Sequence, residues 1–340
     1  MKSKLLIVED SILMQRVIGD IVSTSEHFEV GGFARDVVEG WAKFNKLKPD
    51  MITLDYELPG ENGLVLLKKV MEERPVPVLM LSAHTKAGAE LTMQALEMGA
   101  VDFFTKPSGP ISIDLYNYKD ELLQKLEVTA SAKLPKKIVK KVRKHPRITF
   151  ELYVGVAAST GGVRALHYLI PSLPVECGLR MVVVQHMPKF FTTSLAEHLN
   201  ERSSMVVKEA RDGDKVLAGE VLIAPGGCHC RVDKEGRKIS LTDEPPRHGV
   251  RPSADILFES MARAYGDHML GIILTGMGKD GAEGAARIKN SNGRVIVQDP
   301  LDAVIGGMPQ AALNTGRVDF MLPLKEIPEQ VINLLTGWRK

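Results

Sequence analysis

Two groups of polar residues in this 340-residue chain have types and spacings that could do chemistry. The first is Glu9-Asp10, Asp55, Ser82 and Lys106. Each closes or follows a short apolar run, so each falls at the end of a predicted strand. Carboxylates crowded on one edge repel unless a cation neutralises them. A hard divalent cation does so, and Mg²⁺ suits one or two carboxylates plus phosphate oxygens. The Lys106 ammonium balances further charge. Single carboxylates at solvated strand ends are common, but polar residues at four strand ends together point to one pocket. The second group is Ser159, His186 and Asp280. Ser159 follows the run LYVGVAA and precedes Gly161-Gly162 and a helix. Its hydroxyl therefore lies at a helix N-terminus, where backbone N–H groups can stabilise a developing oxyanion. A serine nucleophile needs a general base, and histidine is the usual one. The histidine in turn needs a carboxylate to fix its tautomer. A plain tight turn or a phosphate-binding loop at Ser159, and a His186 bonded only to backbone, are the structural alternatives.

The elements that must position these residues alternate. KLLIVED is nearly all apolar, as in a parallel strand buried on both faces. Ser11 can cap the helix that follows. Strands at Phe28–Phe33, Met51–Leu54, VPVLMLS and Val101–Phe104 alternate with helices at Val37–Lys46, Gly63–Glu73 and Gly88–Glu97. That is a five-unit βα pattern, so the carboxylates share the carboxyl edge where ligands bind. The segment KLPKKIVKKVRKHPR (Lys133–Arg147) then breaks the pattern with eight Lys/Arg and no Asp/Glu. It reads as an exposed linker. A second α/β pattern starts at Leu152. Within it Val206–Asp243, rich in turns, reads as short antiparallel strands, and Ser253–Tyr265 as a helix. The fold class is therefore α/β. An N-terminal (βα)5 domain spans 1–120, a basic linker 121–150, and a doubly wound, mostly parallel domain with a small antiparallel insertion 151–340.

Composition removes several classes. With 44% hydrophobic and 25% charged residues, the chain is neither disordered nor collagenous. The net charge of +2 and 5% aromatics argue against nucleic acid as a partner. Residues 133–147 contribute +8, leaving −6 on the remainder. No apolar stretch approaches the ~18 residues that span a bilayer, so no membrane insertion is expected. The apolar start meets Glu9-Asp10 too soon for a secretory signal. Three cysteines point to a reducing, cytoplasmic setting. Cys228-His229-Cys230 has poor spacing for zinc, and packing or a site rim is the simpler reading. Gly276-x-Gly278-x-x-Gly281 follows a strand and opens a helix, with Asp299 about 20 residues on, which is the dinucleotide fingerprint. It supports an alternative reading as a dinucleotide-dependent oxidoreductase, in which Asp280 only caps a helix and Ser159 and His186 have no role.

The motifs also carry a family resemblance. Residues 1–120 resemble the receiver domain of two-component response regulators. By that resemblance Asp55 is the phospho-acceptor, Glu9 and Asp10 hold Mg²⁺ with it, Ser82 and Lys106 contact the phosphoryl group, and Phe103 is the aromatic switch. Residues 152–336 resemble the chemotaxis protein-glutamate methylesterases, through ASTGG, QHMP, IAPGG-x-H, RPS-x-D and LTGMG-x-DG in order. The resemblance implies Ser159 as nucleophile, His186 as base, Asp280 as orienting carboxylate, the Met277 N–H as oxyanion donor and Thr160 as site lining. It implies hydrolysis of glutamate γ-methyl esters on chemoreceptor helices without a cofactor, and allows glutamine deamidation. Implied partners are methylated chemoreceptors and the chemotaxis histidine kinase, and the protein is expected to be a cytoplasmic monomer.

Overall fold

The computed structural model describes residues 2–83, 85–107, 112–134 and 151–337. The chain divides into two compact units, 1–134 and 135–340. Most of the basic segment 133–147 lies outside the described residues. No helix among the described residues is long and apolar enough to cross a membrane.

The first unit runs β1 (Ser3–Val8), α1 (Ile12–Ser23), β2 (Phe28–Ala34), α2 (Val37–Leu47), β3 (Met51–Asp55), α3 (Gly63–Glu73), β4 (Val78–Ala83), α4 (Lys86–Met98), β5 (Asp102–Lys106) and α5 (Lys119–Ala130). Its strands form a parallel sheet in the order β2-β1-β3-β4-β5. Leu5 to Val8 are fully buried, as helices covering both sheet faces require. Strand order reverses between β1 and β3, and the carboxyl edge there is the usual ligand crevice. Ser11 caps α1, its Oγ accepting from Met14 N at 3.3 Å. The unit does not end at residue 120. Helix α5 continues to Ala130 and carries Leu122 and Leu126, both fully buried, into the core with Leu5, Ile7 and Phe104.

The second unit runs β6 (Tyr153–Ala158), α6 (Gly162–Leu169), β7 (Arg180–Gln185), α7 (Phe191–Asn200), β8 (Val206–Glu209), β9 (Glu220–Ile223), β10 (His229–Val232), β11 (Ile239–Thr242), α8 (Ala254–Tyr265), β12 (Met269–Ile273), α9 (Ala282–Asn290), β13 (Arg294–Gln298), α10 (Gly307–Asn314), β14 (Phe320–Leu322) and α11 (Ile327–Gly337). Seven strands form a parallel sheet in the order β14-β13-β12-β6-β7-β9-β8. The expectation of antiparallel strands across 206–243 is half corrected. β8 and β9 extend the large sheet in parallel beside β7, and only β10 and β11 pair antiparallel. The chain builds outward from β6 to one side and then, through β12, to the other. The switch point therefore lies between β6 and β12.

Candidate active site and phospho-acceptor pocket

In the first unit the pocket forms where the strand order reverses. Glu9 follows β1, Asp55 ends β3 and Lys106 ends β5. Lys106 Nζ donates to Glu9 Oε2 at 2.8 Å and to Asp55 Oδ2 at 2.5 Å. Glu9 and Asp55 are almost fully buried. Burial, helped by the Asp55 charge, pushes the Glu9 carboxyl up to about 7 against the pull of Lys106. A carboxylate from each of Glu9, Asp10 and Asp55 lies within 4.8 Å of the others. A buried acid raised this far has too little positive charge around it. The all-oxygen donor set therefore fits a hard divalent cation such as Mg²⁺. Ser82 lies on β4 beside this edge, but its hydroxyl is engaged elsewhere. It donates to Gly88 O at 3.1 Å and accepts from Thr92 Oγ1 at 2.7 Å. Thr92, on α4, went unnoticed in the sequence because nothing local marks it. Phe103 is buried, with Lys125 Nζ 5.4 Å from its ring centre.

In the second unit the register of the sheet brings Ser159 and His186 side by side. Ala158 pairs with Gln185, and His186 N donates to Ala158 O at 3.0 Å. The next residues, Ser159 and His186, therefore leave adjacent parallel strands, which run about 4.8 Å apart. Ser159 is pinned by its backbone. Its N–H donates to Thr275 O at 3.0 Å, and its carbonyl accepts from Gly162 N at 2.7 Å and Gln185 Nε2 at 2.9 Å. Gly162 is required here, because a Cβ would stand 2.1 Å from Gln185 Oε1.

Asp280 reaches across from the segment after β12. Its Oδ2 lies 2.8 Å from His186 Nε2, and as an acceptor-only carboxylate it assigns the proton to that nitrogen. Nδ1 is left as the nitrogen able to take a proton. Asp280 accepts three more bonds, from Ser253 Oγ (2.6 Å), Ala254 N (2.6 Å) and Asp255 N (3.0 Å). Burial would raise its carboxyl, but the bonds from His186, Ser253 and Ala254 outweigh that and hold it well below the usual range. The loop Thr275–Gly278 lies against Ser159. A Cβ on Gly276 would meet Ser159 Cβ at 2.7 Å and Met308 Sδ at 2.3 Å. The Thr275 amide donates to Gln298 Oε1 and that of Gly276 to Ile305 O. The Met277 amide donates to no partner among the described residues. Thr160 is nearly buried, its carbonyl accepting from Thr275 Oγ1 at 2.9 Å.

This geometry corrects the dinucleotide alternative. A pyrophosphate would need the first amides of α9, but Asp255 Oδ1 already accepts from Gly281 N (3.0 Å) and Gly284 N (2.6 Å). His229 and Cys230 are structural. Cys230 is fully buried, and His229 accepts from Ser253 N at 3.2 Å while donating to Pro245 O at 3.0 Å.

Residues 154–331 match the family described as CheB methylesterase, and residues 5–115 match the response regulator receiver domain. The chain is 42% identical over 344 residues to the protein-glutamate methylesterase/protein-glutamine glutaminase of Pyrococcus abyssi, covering 97% of this chain and 93% of that protein. It is 39% identical to the protein of the same name from Thermotoga maritima, covering 98% of each. The solved structure of the Thermotoga maritima CheB methylesterase catalytic domain superposes with a TM-score of 0.53 and 40% identity, covering 55% of this chain and all of that one.

Proposed function

The chain belongs to the CheB methylesterase family, with a receiver domain ahead of the esterase domain, and from that premise we propose a residue-level mechanism for its hydrolysis of protein-glutamate methyl esters. Ser159 Oγ attacks the ester carbonyl while His186 Nδ1 takes its proton. Asp280 holds the imidazole and stabilises the imidazolium. The Met277 N–H, without a partner among the described residues, donates to the oxyanion. Methanol leaves with the proton from His186, giving a glutamyl-serine ester. Water, deprotonated by the same nitrogen, releases glutamate and Ser159. With a glutamine substrate the same steps expel ammonia, consistent with the paired name of its relatives. The chemistry uses only groups of the chain. The observation that carries this reading is the His186–Asp280 bond of 2.8 Å, beside a serine fixed on the neighbouring strand.

In the receiver domain the reading assigns Asp55 as phospho-acceptor. Mg²⁺, when bound by Glu9, Asp10 and Asp55, offsets the charge of the phosphoryl group. Lys106 then moves from its carboxylate partners to a phosphoryl oxygen. Ser82 exchanges its bonds to Thr92 and Gly88 for another, and Phe103 repacks, shifting a two-state equilibrium that governs the esterase. The phosphodonor would be a chemotaxis histidine kinase, and the substrate methylated chemoreceptor helices, both met in the cytoplasm. The test is methanol release from methylated receptor, with and without a phosphodonor. Ser159→Ala should abolish release while Asp55 still takes phosphate. Full activity in that variant refutes the nucleophile, and release indifferent to phosphodonor refutes the regulation.

A further inference from the structure

Behind the His186–Asp280 pair lies a second pair, His248 and Asp255, that the mechanism above does not use. The two helices flanking Asp280 exchange caps. Ser253, the cap residue of α8, does not cap its own helix. Asp280, from the segment before α9, accepts from Ala254 N and Asp255 N instead. Gly281, the cap residue of α9, has no side chain to offer. Asp255, from α8, accepts from Gly281 N and Gly284 N. Each carboxylate thus sits on the positive end of the other's helix. Capping two helices would need only acceptors, and asparagine would serve. Yet Asp255 is a fully buried acid beside another buried acid, an arrangement costly for capping alone. Its outer oxygen, Oδ2, accepts from His248 Nε2 at 3.0 Å. The charged groups facing it are Asp280 and Glu283 from the α9 side, and His248 and Arg247 from the loop before α8. Arg247 pairs with Glu283 and with Glu259 of α8, and Lys279 faces Glu283. Arg247 thus already supplies this cluster with a cation.

We propose that Asp255, held by His248, is a positioning residue of the esterase whose negative charge, placed behind Asp280, strengthens His186 as a base and stabilises the imidazolium formed when Ser159 attacks. The proposal rests on the reading of Ser159, His186 and Asp280 given above. It separates charge from capping. Asp255→Asn keeps an acceptor for the Gly281 and Gly284 amides and removes the charge, while its NH2 replaces the oxygen facing His248 Nε2, which can take the other tautomer and accept from it.

The experiment uses the full chain and two readouts. In Asp255→Asn, kcat for methyl ester hydrolysis should fall roughly tenfold with KM nearly unchanged, while the acidic limb of kcat/KM moves to lower pH by about half a unit to one unit. The direction follows because removing a negative charge disfavours the imidazolium, so His186 stays neutral to lower pH. A limb that does not move, whether or not kcat falls, overturns the proposal. The second readout needs neither variant nor substrate. Burial and the Asp280 charge push the Asp255 carboxyl up to about 6. In the unaltered protein the His186 ring resonance should therefore titrate with two inflections, because protonation of Asp255 is felt there. A single-site curve overturns the coupling. This titration would stand even if ester hydrolysis failed, so failure of the coupling and failure of the esterase reading give different results.

Discussion

Asp280→Asn tests the structure on two scales at once. The carboxylate accepts four hydrogen bonds, and two of them come from the N-terminal amides of α8. Its carboxyl is held at about 2 against an ordinary 3.8, although burial alone would raise it. That gap corresponds to about 2 kcal/mol of preference for the ionised form in the folded state. The pKa is depressed on folding, so this stability is fully present above the unfolded value near 3.8 and disappears as pH falls through 2. Asparagine retains one acceptor but none of the charge. At pH 7 the variant should lose about 2 kcal/mol, which lowers the unfolding midpoint of a domain this size by about 4–8 °C. The penalty should be the same at pH 5 and should shrink below pH 4. Calorimetry of the full chain reads it in the transition of the second unit. Catalysis should fall about 10³–10⁴-fold, because the amide neither fixes the His186 tautomer nor stabilises the imidazolium. Methanol release at saturating substrate measures this separately. A midpoint unchanged at pH 7, or a penalty that grows on acidification, would refute the electrostatic account of Asp280. A loss of activity under tenfold would refute its pairing with His186 in the reaction.

Other perturbations reach different parts of the molecule. Gly162→Ala places a methyl group 2.1 Å from Gln185 Oε1 and 2.8 Å from Ala158 Cβ. It should cost about 1–3 kcal/mol and displace Ser159, seen as a lowered unfolding midpoint together with lost esterase activity. Mg²⁺ should compete with the proton on Glu9, whose carboxyl is raised to about 7. Its affinity, measured by calorimetric titration, should rise by up to about tenfold per pH unit below 7 and level off above 8. A dissociation constant flat between pH 6 and 8 would count against Glu9 as a ligand. Removing residues 1–146 should raise basal methanol release if the receiver restrains the esterase, and an unchanged or lower rate would tell against restraint.

Much of the fold could be read from the chain because buried parallel strands leave continuous apolar runs. KLLIV, MITL and VPVLML each became a strand, and each led to a polar residue at the carboxyl edge. What escaped had weaker local signals. β8 and β9 are four residues each, and β7, against which β9 pairs and so ties both to the large sheet, is more than twenty residues from either. Turn-rich composition around them suggested hairpins, whereas burial of Val207, Val221 and Leu222 draws them onto the large sheet. Helix α5 escaped because its apolar stripe is narrow and its first turn acidic, so the chain read as leaving the domain at residue 120.

The site shows more sharply where local reading ends. Gly276-x-Gly278-x-x-Gly281 satisfies every local condition for a phosphate loop: a strand before it, a helix after it and an acidic residue further on. Phosphate binding also requires that the helix N-terminus be open. Whether it is depends on Asp255, 26 residues earlier than Gly281, whose carboxylate occupies those amides. The glycines serve a different contact. At Gly276 a side chain would collide with Ser159 and Met308, so the absent Cβ lets the loop approach Ser159. The next amide in the loop, that of Met277, has no hydrogen-bond partner among the described residues. Ser253 and Asp255 stood in the sequence as part of RPS-x-D with no assignable chemistry, since, His248 apart, everything they bond to in the site lies more than twenty residues away. Their position also explains why the histidine partner is Asp280 and not Asp255. Asp280 receives two amides, a hydroxyl and an imidazole, and stays ionised. Asp255 receives two amides and His248, carries its neighbour's charge against it, and is held nearer neutrality. Of the two adjacent buried acids, the one better solvated by hydrogen bonds is the one that meets His186 Nε2.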